Sequence, residues 1–148
     1  MTTESLDALA RRLRRLEDLE EIRRLYVDYG RHLDAGDAAA YAALFARDAK
    51  VRLGPVLRAD GRAEIERAAA AMLDRTRRSG RSVHLIGTPT VELDGDTATG
   101  ECVWVAVADA DGGATRVIVG RHLDELVRED GRWRFRVRRG VIDVGSLP

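Results

Sequence analysis

The chain has one cysteine, Cys102, in 148 residues, so no intrachain disulfide can form and a reducing compartment fits. Lysine is almost absent: Lys50 is the only one, and every other side chain in the Lys+Arg total of 25 is arginine. Asp+Glu also number 25, and this balance removes any global electrostatic reason to bind nucleic acid or an anionic membrane. No apolar run approaches the roughly 20 residues of a membrane span. The N-terminal stretch "MTTESLDALARRLRRLEDLEE" lacks the apolar core of a signal peptide, so a cytoplasmic location is expected. A phosphate-cradling glycine loop and a nucleophile elbow are both missing. "DGDTATG" lacks the spaced ligands and terminal glutamate of a calcium loop. The three histidines are too scattered for a metal motif, so neither metal nor cofactor is expected.

What is present describes a globular domain. Hydrophobic residues make up 45% and charged residues 34%, and the length suits one domain, 1–148, with residues 1–16 as a helical arm. Leu6, Leu9, Leu13, Leu16 and Leu19, then Ile22, Leu25, Tyr26, Tyr29 and Leu33, recur at helical spacing and predict a helix over 4–34. The stripe drifts near 16–19, which allows a break there. Gly36 suits the helix end and Asp37 the next N-cap. "AAAYAALFARDA" predicts a second, short helix with Tyr41, Leu44 and Phe45 on one side. "KVRL" reads as a strand, "GPVLRADG" as a turn region, and 62–78 as a third helix. From Ser82 the period becomes two: "SVHLIGTPTVEL" kinked at Gly87 and Pro89, "TATGECVWVAVADA", "ATRVIVGRHLDELVRE" and "RWRFRVRRGVIDV", separated by Asp-Gly turns. Helices followed by an antiparallel meander predict an α+β fold, with helices on one face of a curved sheet. Val103, Val105 and Val107 alternate with Cys102, Trp104 and Ala106, so both sheet faces are apolar. The outer face then suits a second copy of the chain, a homodimer.

The stretch "YGRHLDAGD" gathers Tyr29, His32, Asp34 and Asp37 at a helix end. Asp37 fills the capping role, which leaves Asp34 either a helix terminus or a site residue. Tyr29 continues the apolar stripe; as a core residue it still needs a partner for its hydroxyl. His84 is a lone histidine in a strand, and a neighbouring carboxylate would fix its ring tautomer. His122 shares a register with Ile118, Gly120 and Asp124. The opposite register is more apolar, which turns His122 outward. Arg132, Arg134, Arg136 and Arg138 read as a solvated face, while Arg139 falls in the inward register with Trp133, Phe135 and Val137, provided no bulge interrupts the strand.

The segments "VHLIGTPTVELDGDTA" and "DELVREDGRWRF", with "LDAGD" and "AAYAALFARDAKV", resemble the SnoaL-like branch of the nuclear transport factor 2-like superfamily, from about residue 16 to 144. The resemblance implies a cone-shaped α+β barrel enclosing an apolar cavity. Its members include scytalone dehydratase, bile acid 7α-dehydratase, ketosteroid isomerase and polyketide cyclases. It implies pairing of Asp34 with His84, and a tyrosine five residues before that aspartate, as Tyr29 is. Leu33 and Leu53 stand where scytalone dehydratase has tyrosines, which argues against that chemistry as such. It also turns His122 into the cavity, with Trp104 beside it.

The expected function is a cofactor-independent enzyme acting beside a carbonyl of a small apolar or polycyclic substrate. His84 would be the acid or base, Asp34 its partner and Tyr29 the hydroxyl that polarises the carbonyl or assists the leaving hydroxyl, with His122, Arg139, Trp104 and Phe45 contacting substrate. A non-catalytic carrier of hydrophobic ligands, or an assembly subunit of the same fold, is the alternative.

Overall fold

The computed structural model describes residues 3–145, without the side chains of residues 3, 4 and 111. The elements run α1 (Thr3–Ala35), α2 (Ala38–Ala43), β1 (Phe45–Leu53), β2 (Leu57–Asp60), α3 (Arg62–Ser79), β3 (Ser82–Ile86), β4 (Thr90–Asp94), β5 (Thr97–Asp109), β6 (Thr115–Glu129) and β7 (Arg132–Val144). The sheet order is β2-β1-β7-β6-β5-β3, with β4 also on β5. All pairs are antiparallel except β1 with β7. The predicted α+β class, helices against a curved and mostly antiparallel sheet, is the observed one. Among the described residues, no helix is long and apolar enough to cross a membrane.

The leucine stripe forms one unbroken helix, with no interruption at 16–19. Its first half projects: Leu6, Leu9, Leu13 and Leu16 are exposed, and burial begins at Ile22. Gly36, at φ 69°, adopts the left-handed conformation that ends the helix, its N–H donating to the Leu33 carbonyl. Asp37 then caps α2 by accepting from the Ala40 N–H at 2.9 Å. This turn fixes where Asp34 points, because it closes the helix one residue after it.

The second helix is shorter than its sequence predicts. It ends at Ala43, and "FARDA" enters strand β1 instead. Alanine propensity favours a helix there by only tenths of a kcal/mol per residue, roughly. The strand gains pairing with β7, where the Phe135 N–H donates to the Leu44 carbonyl, and buries Phe45 completely. The predicted turn region 54–61 also holds a short strand, β2, paired on β1. The segment 82–93 divides into β3 and β4, which pair with successive stretches of β5 on either side of the predicted kink.

The core is a ring cluster. Tyr26, Tyr29, Tyr41, Phe45 and Phe135 stack edge-on or tilted, with centroids 5.1–6.2 Å apart. A register shift between β6 and β7 has the largest consequence for the site. Glu125 pairs with Val137 and Leu126 with Phe135, leaving Arg136 as an extra residue. Beyond this bulge the inward positions become Arg138, Gly140 and Ile142 instead of Val137 and Arg139.

Candidate active site

The concave face of the sheet, the end of α1 and one side of α3 enclose a cavity of about 660 Å³. Strand pairing builds its floor in rows. Ser82, Ala108 and Arg116 lie across β3, β5 and β6. His84, Ala106 and Ile118 form the next inward row, then Ile86, Trp104 and Gly120. His122, opposite Gly140, lies deeper. Tyr29 and Leu33 close the wall from α1, and Met72 and Leu73 from α3.

Asp34 and His84, fifty residues apart in sequence, meet at this wall. The His84 Nδ1–H donates to Asp34 Oδ1 at 2.8 Å. The His84 main-chain N–H donates to the same carboxylate, 3.1 Å from Oδ1 and 3.2 Å from Oδ2. One carboxylate therefore holds both the ring and the strand carrying it. With Nδ1 donating, Nε2 is the nitrogen left to accept a proton. The pair is partly screened from solvent, its side chains 23% and 29% exposed.

Tyr29 and His122 also line the cavity. Burial raises the Tyr29 hydroxyl above its usual range, against the opposing effect of Arg138, so it remains a neutral donor at pH 7. His122 faces inward and is only 4% exposed. Trp104 stacks on it with centroids 5.5 Å apart, and Tyr29 meets it edge-on at 5.2 Å. Burial, then the Arg138 charge, then nearby His84 push His122 well below the usual histidine range, so it is neutral. Gly120 makes room for the Trp104 indole: a Cβ there would lie 2.5 Å from the ring and 2.2 Å from the Val141 carbonyl oxygen. Among the described residues, the indole N–H of Trp104 and Nδ1 of His122 are buried without a hydrogen-bond partner. Two unsatisfied polar groups lying behind a largely apolar wall depart from the usual pairing of buried polar atoms.

Two expected wall residues lie elsewhere. Phe45 is fully buried in the ring cluster and does not reach the cavity, because β1 carries it under Tyr41 and Phe135. Arg139 is turned to the outer sheet face by the bulge, 58% exposed and 3.8 Å from Glu125.

On β7, Arg138 takes the inward position expected of Arg139. Its Nε and Nη2 donate to Asp124 at 2.8 and 2.7 Å, and the Tyr26 hydroxyl donates to Asp124 at 2.6 Å. The guanidinium lies over Tyr29, 4.1 Å from the ring centroid, and its Nη1 has no hydrogen-bond partner among the described residues. Asp124 shares the His122 register, so its inward position follows from that of His122. The bulge that brings Arg138 to meet it leaves no mark in the residue alternation.

The SnoaL-like domain model SnoaL_4 matches residues 14–139. An NTF2-like protein with a cystatin-like fold from Novosphingobium aromaticivorans is 35% identical over 98% of this chain and 94% of its own, with a TM-score of 0.79. Two more distant structures share the fold. A candidate scytalone dehydratase from the same organism is 22% identical, with a TM-score of 0.77, over 89% of this chain and 88% of its own. A type 2 hexachlorocyclohexane dehydrochlorinase, LinA, is 20% identical, with a TM-score of 0.77, over 96% and 91%. A comparison with curated protein sequences finds no match. The chain belongs to the SnoaL-like family of the NTF2-like superfamily.

Proposed function

We propose that this protein is a cofactor-independent enzyme that moves a proton beside a carbonyl of a small apolar or polycyclic substrate, as a dehydratase, isomerase or cyclase. The observation that carries this reading is the Asp34–His84 pair at 2.8 Å in the wall of an otherwise largely apolar cavity. His84 Nε2 takes a proton from the carbon next to the carbonyl. Asp34 keeps Nδ1 protonated and stabilises the imidazolium that results. The electron pair of the broken C–H bond moves onto the carbonyl oxygen, which the Tyr29 hydroxyl is suited to meet from the cavity wall. In a dehydration, that pair then forms the carbon–carbon double bond as the β-hydroxyl leaves, and the proton on His84 completes the water released. In an isomerisation, His84 returns the proton to a different carbon.

A dehydrochlorinase among the fold neighbours, by its name an elimination enzyme, supports the reaction class. Deuterium incorporation next to the carbonyl of 1-tetralone in D₂O, followed by proton NMR, tests the proton transfer. The wild type should accelerate exchange, and His84→Ala should return it to the solvent rate. Equal rates for the two proteins would refute the role of His84.

The second copy expected on the outer sheet face remains part of this proposal. Val83, Leu85, Val103 and Val117 are each at least half exposed there, in adjacent strands, and such a continuous apolar surface suits burial against its own copy.

A further inference from the structure

The acid–base reading makes no use of the charged mouth of the cavity. Arg75 reaches it from the C-terminal half of α3, Arg81 from the loop before β3, and Arg116 from the start of β6. Asp109 is the only carboxylate among the described lining residues. Its Oδ2 already accepts the Arg81 main-chain N–H at 2.9 Å, while the Arg81 guanidinium stands 4.0 Å away. The neighbouring Arg78, by contrast, is paired to Asp74. Three arginines and a single described carboxylate thus line a cavity whose deeper wall is mostly apolar, and the Arg81 side chain stands out in solvent at its edge.

The register gives the spacing. Arg116 lies one inward row beyond Ile118, and Ile118 lies two strands across from His84. Strand geometry puts their backbones on the order of 10 Å apart. A molecule with its reacting carbon at His84 would therefore present a tail of a few bonds to the rim.

We propose that the substrate is an organic anion, with an apolar ring body in the cavity and a carboxylate or phosphate tail held by Arg81 and Arg116, with Arg75 adding charge. Guanidinium groups match both oxyanions with paired N–H donors, and the surplus charge at the mouth draws anions towards it. This inference rests on the cavity being the substrate site.

Isothermal titration calorimetry with three probes sharing one ring tests it: 4-(2-naphthyl)butanoate, its neutral amide, and 4-(2-naphthyl)butyl phosphate. At least one anion should bind the wild type about tenfold or more tightly than the amide. Comparing the two anions identifies which oxyanion the rim prefers. An Arg81→Gln, Arg116→Gln double variant should lose that advantage while keeping its affinity for the amide. Equal affinity for anion and amide, a preference that survives in the double variant, or no binding of any probe would overturn the proposal. His84→Ala should keep the anion preference. Binding is read without turnover, so loss of the catalytic reading would leave this result standing, and the converse.

Discussion

Arg138 and Asp124 form a bidentate ion pair, 2.7 and 2.8 Å, in which neither side chain reaches solvent. Two opposing charges taken fully out of water are stable only as a pair. Desolvation opposes the Arg138 charge, but Asp124 more than offsets it, so the guanidinium stays protonated. The pair sits directly behind Tyr29 and fixes the deep wall of the cavity. Arg138→Met should destabilise the protein by about 3–5 kcal/mol, because the Asp124 carboxylate is left buried without its counter-charge. Adding Asp124→Leu should recover most of that loss. Urea midpoints of the two variants check this; equal losses in the single and double variants would contradict it.

Asp34→Asn keeps an acceptor for the His84 main-chain N–H but removes the charge and permits the wrong ring tautomer. Turnover should fall by about 10²–10⁴-fold with the fold retained. Steady-state rates beside a circular dichroism melt separate the two effects. An unchanged rate would remove Asp34 from the mechanism.

Stability in mild acid should depend on His122. Its pKa is depressed in the folded protein, so the unfolded chain binds the proton first as pH falls. The stability it secures is present above about pH 6.5 and is lost progressively below that, down towards the depressed folded pKa. Carboxylates lowered by arginine partners, such as Asp18 and Glu129, act only at lower pH. Urea midpoints should therefore slope between pH 6.5 and 5 in the wild type and flatten in His122→Gln.

Gly120→Ala should cost about 1–3 kcal/mol and disturb the Trp104–His122 stack, because the added Cβ collides with the indole and a β7 carbonyl. Chemical denaturation measures the cost, and a shift in Trp104 emission reports the displaced ring.

Val117→Glu combined with Leu85→Glu places charge on the exposed outer face. The wild type should sediment as a dimer and this variant as a monomer, with secondary structure unchanged. A dimer that persists would place its interface elsewhere.

Much of this fold was legible in the sequence because the relevant patterns were local. Period-two alternation and Asp-Gly turns placed β5, β6 and β7, and the helix expected over 62–78 is α3, Arg62–Ser79. The segment from Phe45 to Ala49 was misleading. Its buried residues fit either a helix or a strand, and a partner 90 residues away decided between them. Arg138 and Arg139 exchanged expected faces through one bulged residue, Arg136, which no alternation reveals. The meeting of Asp34 and His84 was implied by the family resemblance; by residue pattern alone, each was an isolated polar group.

Proton transfer by His84 is the central step of the proposed reaction, and a bicyclic β-hydroxy ketone tests it most directly. Loss of water from 3-hydroxy-1-tetralone yields 1-naphthol, whose fluorescence can be followed continuously. The wild type should accelerate its formation, with His84→Ala slower by about 10²–10⁴-fold and still folded. Formation of 1-naphthol at the same rate with both proteins would contradict the account.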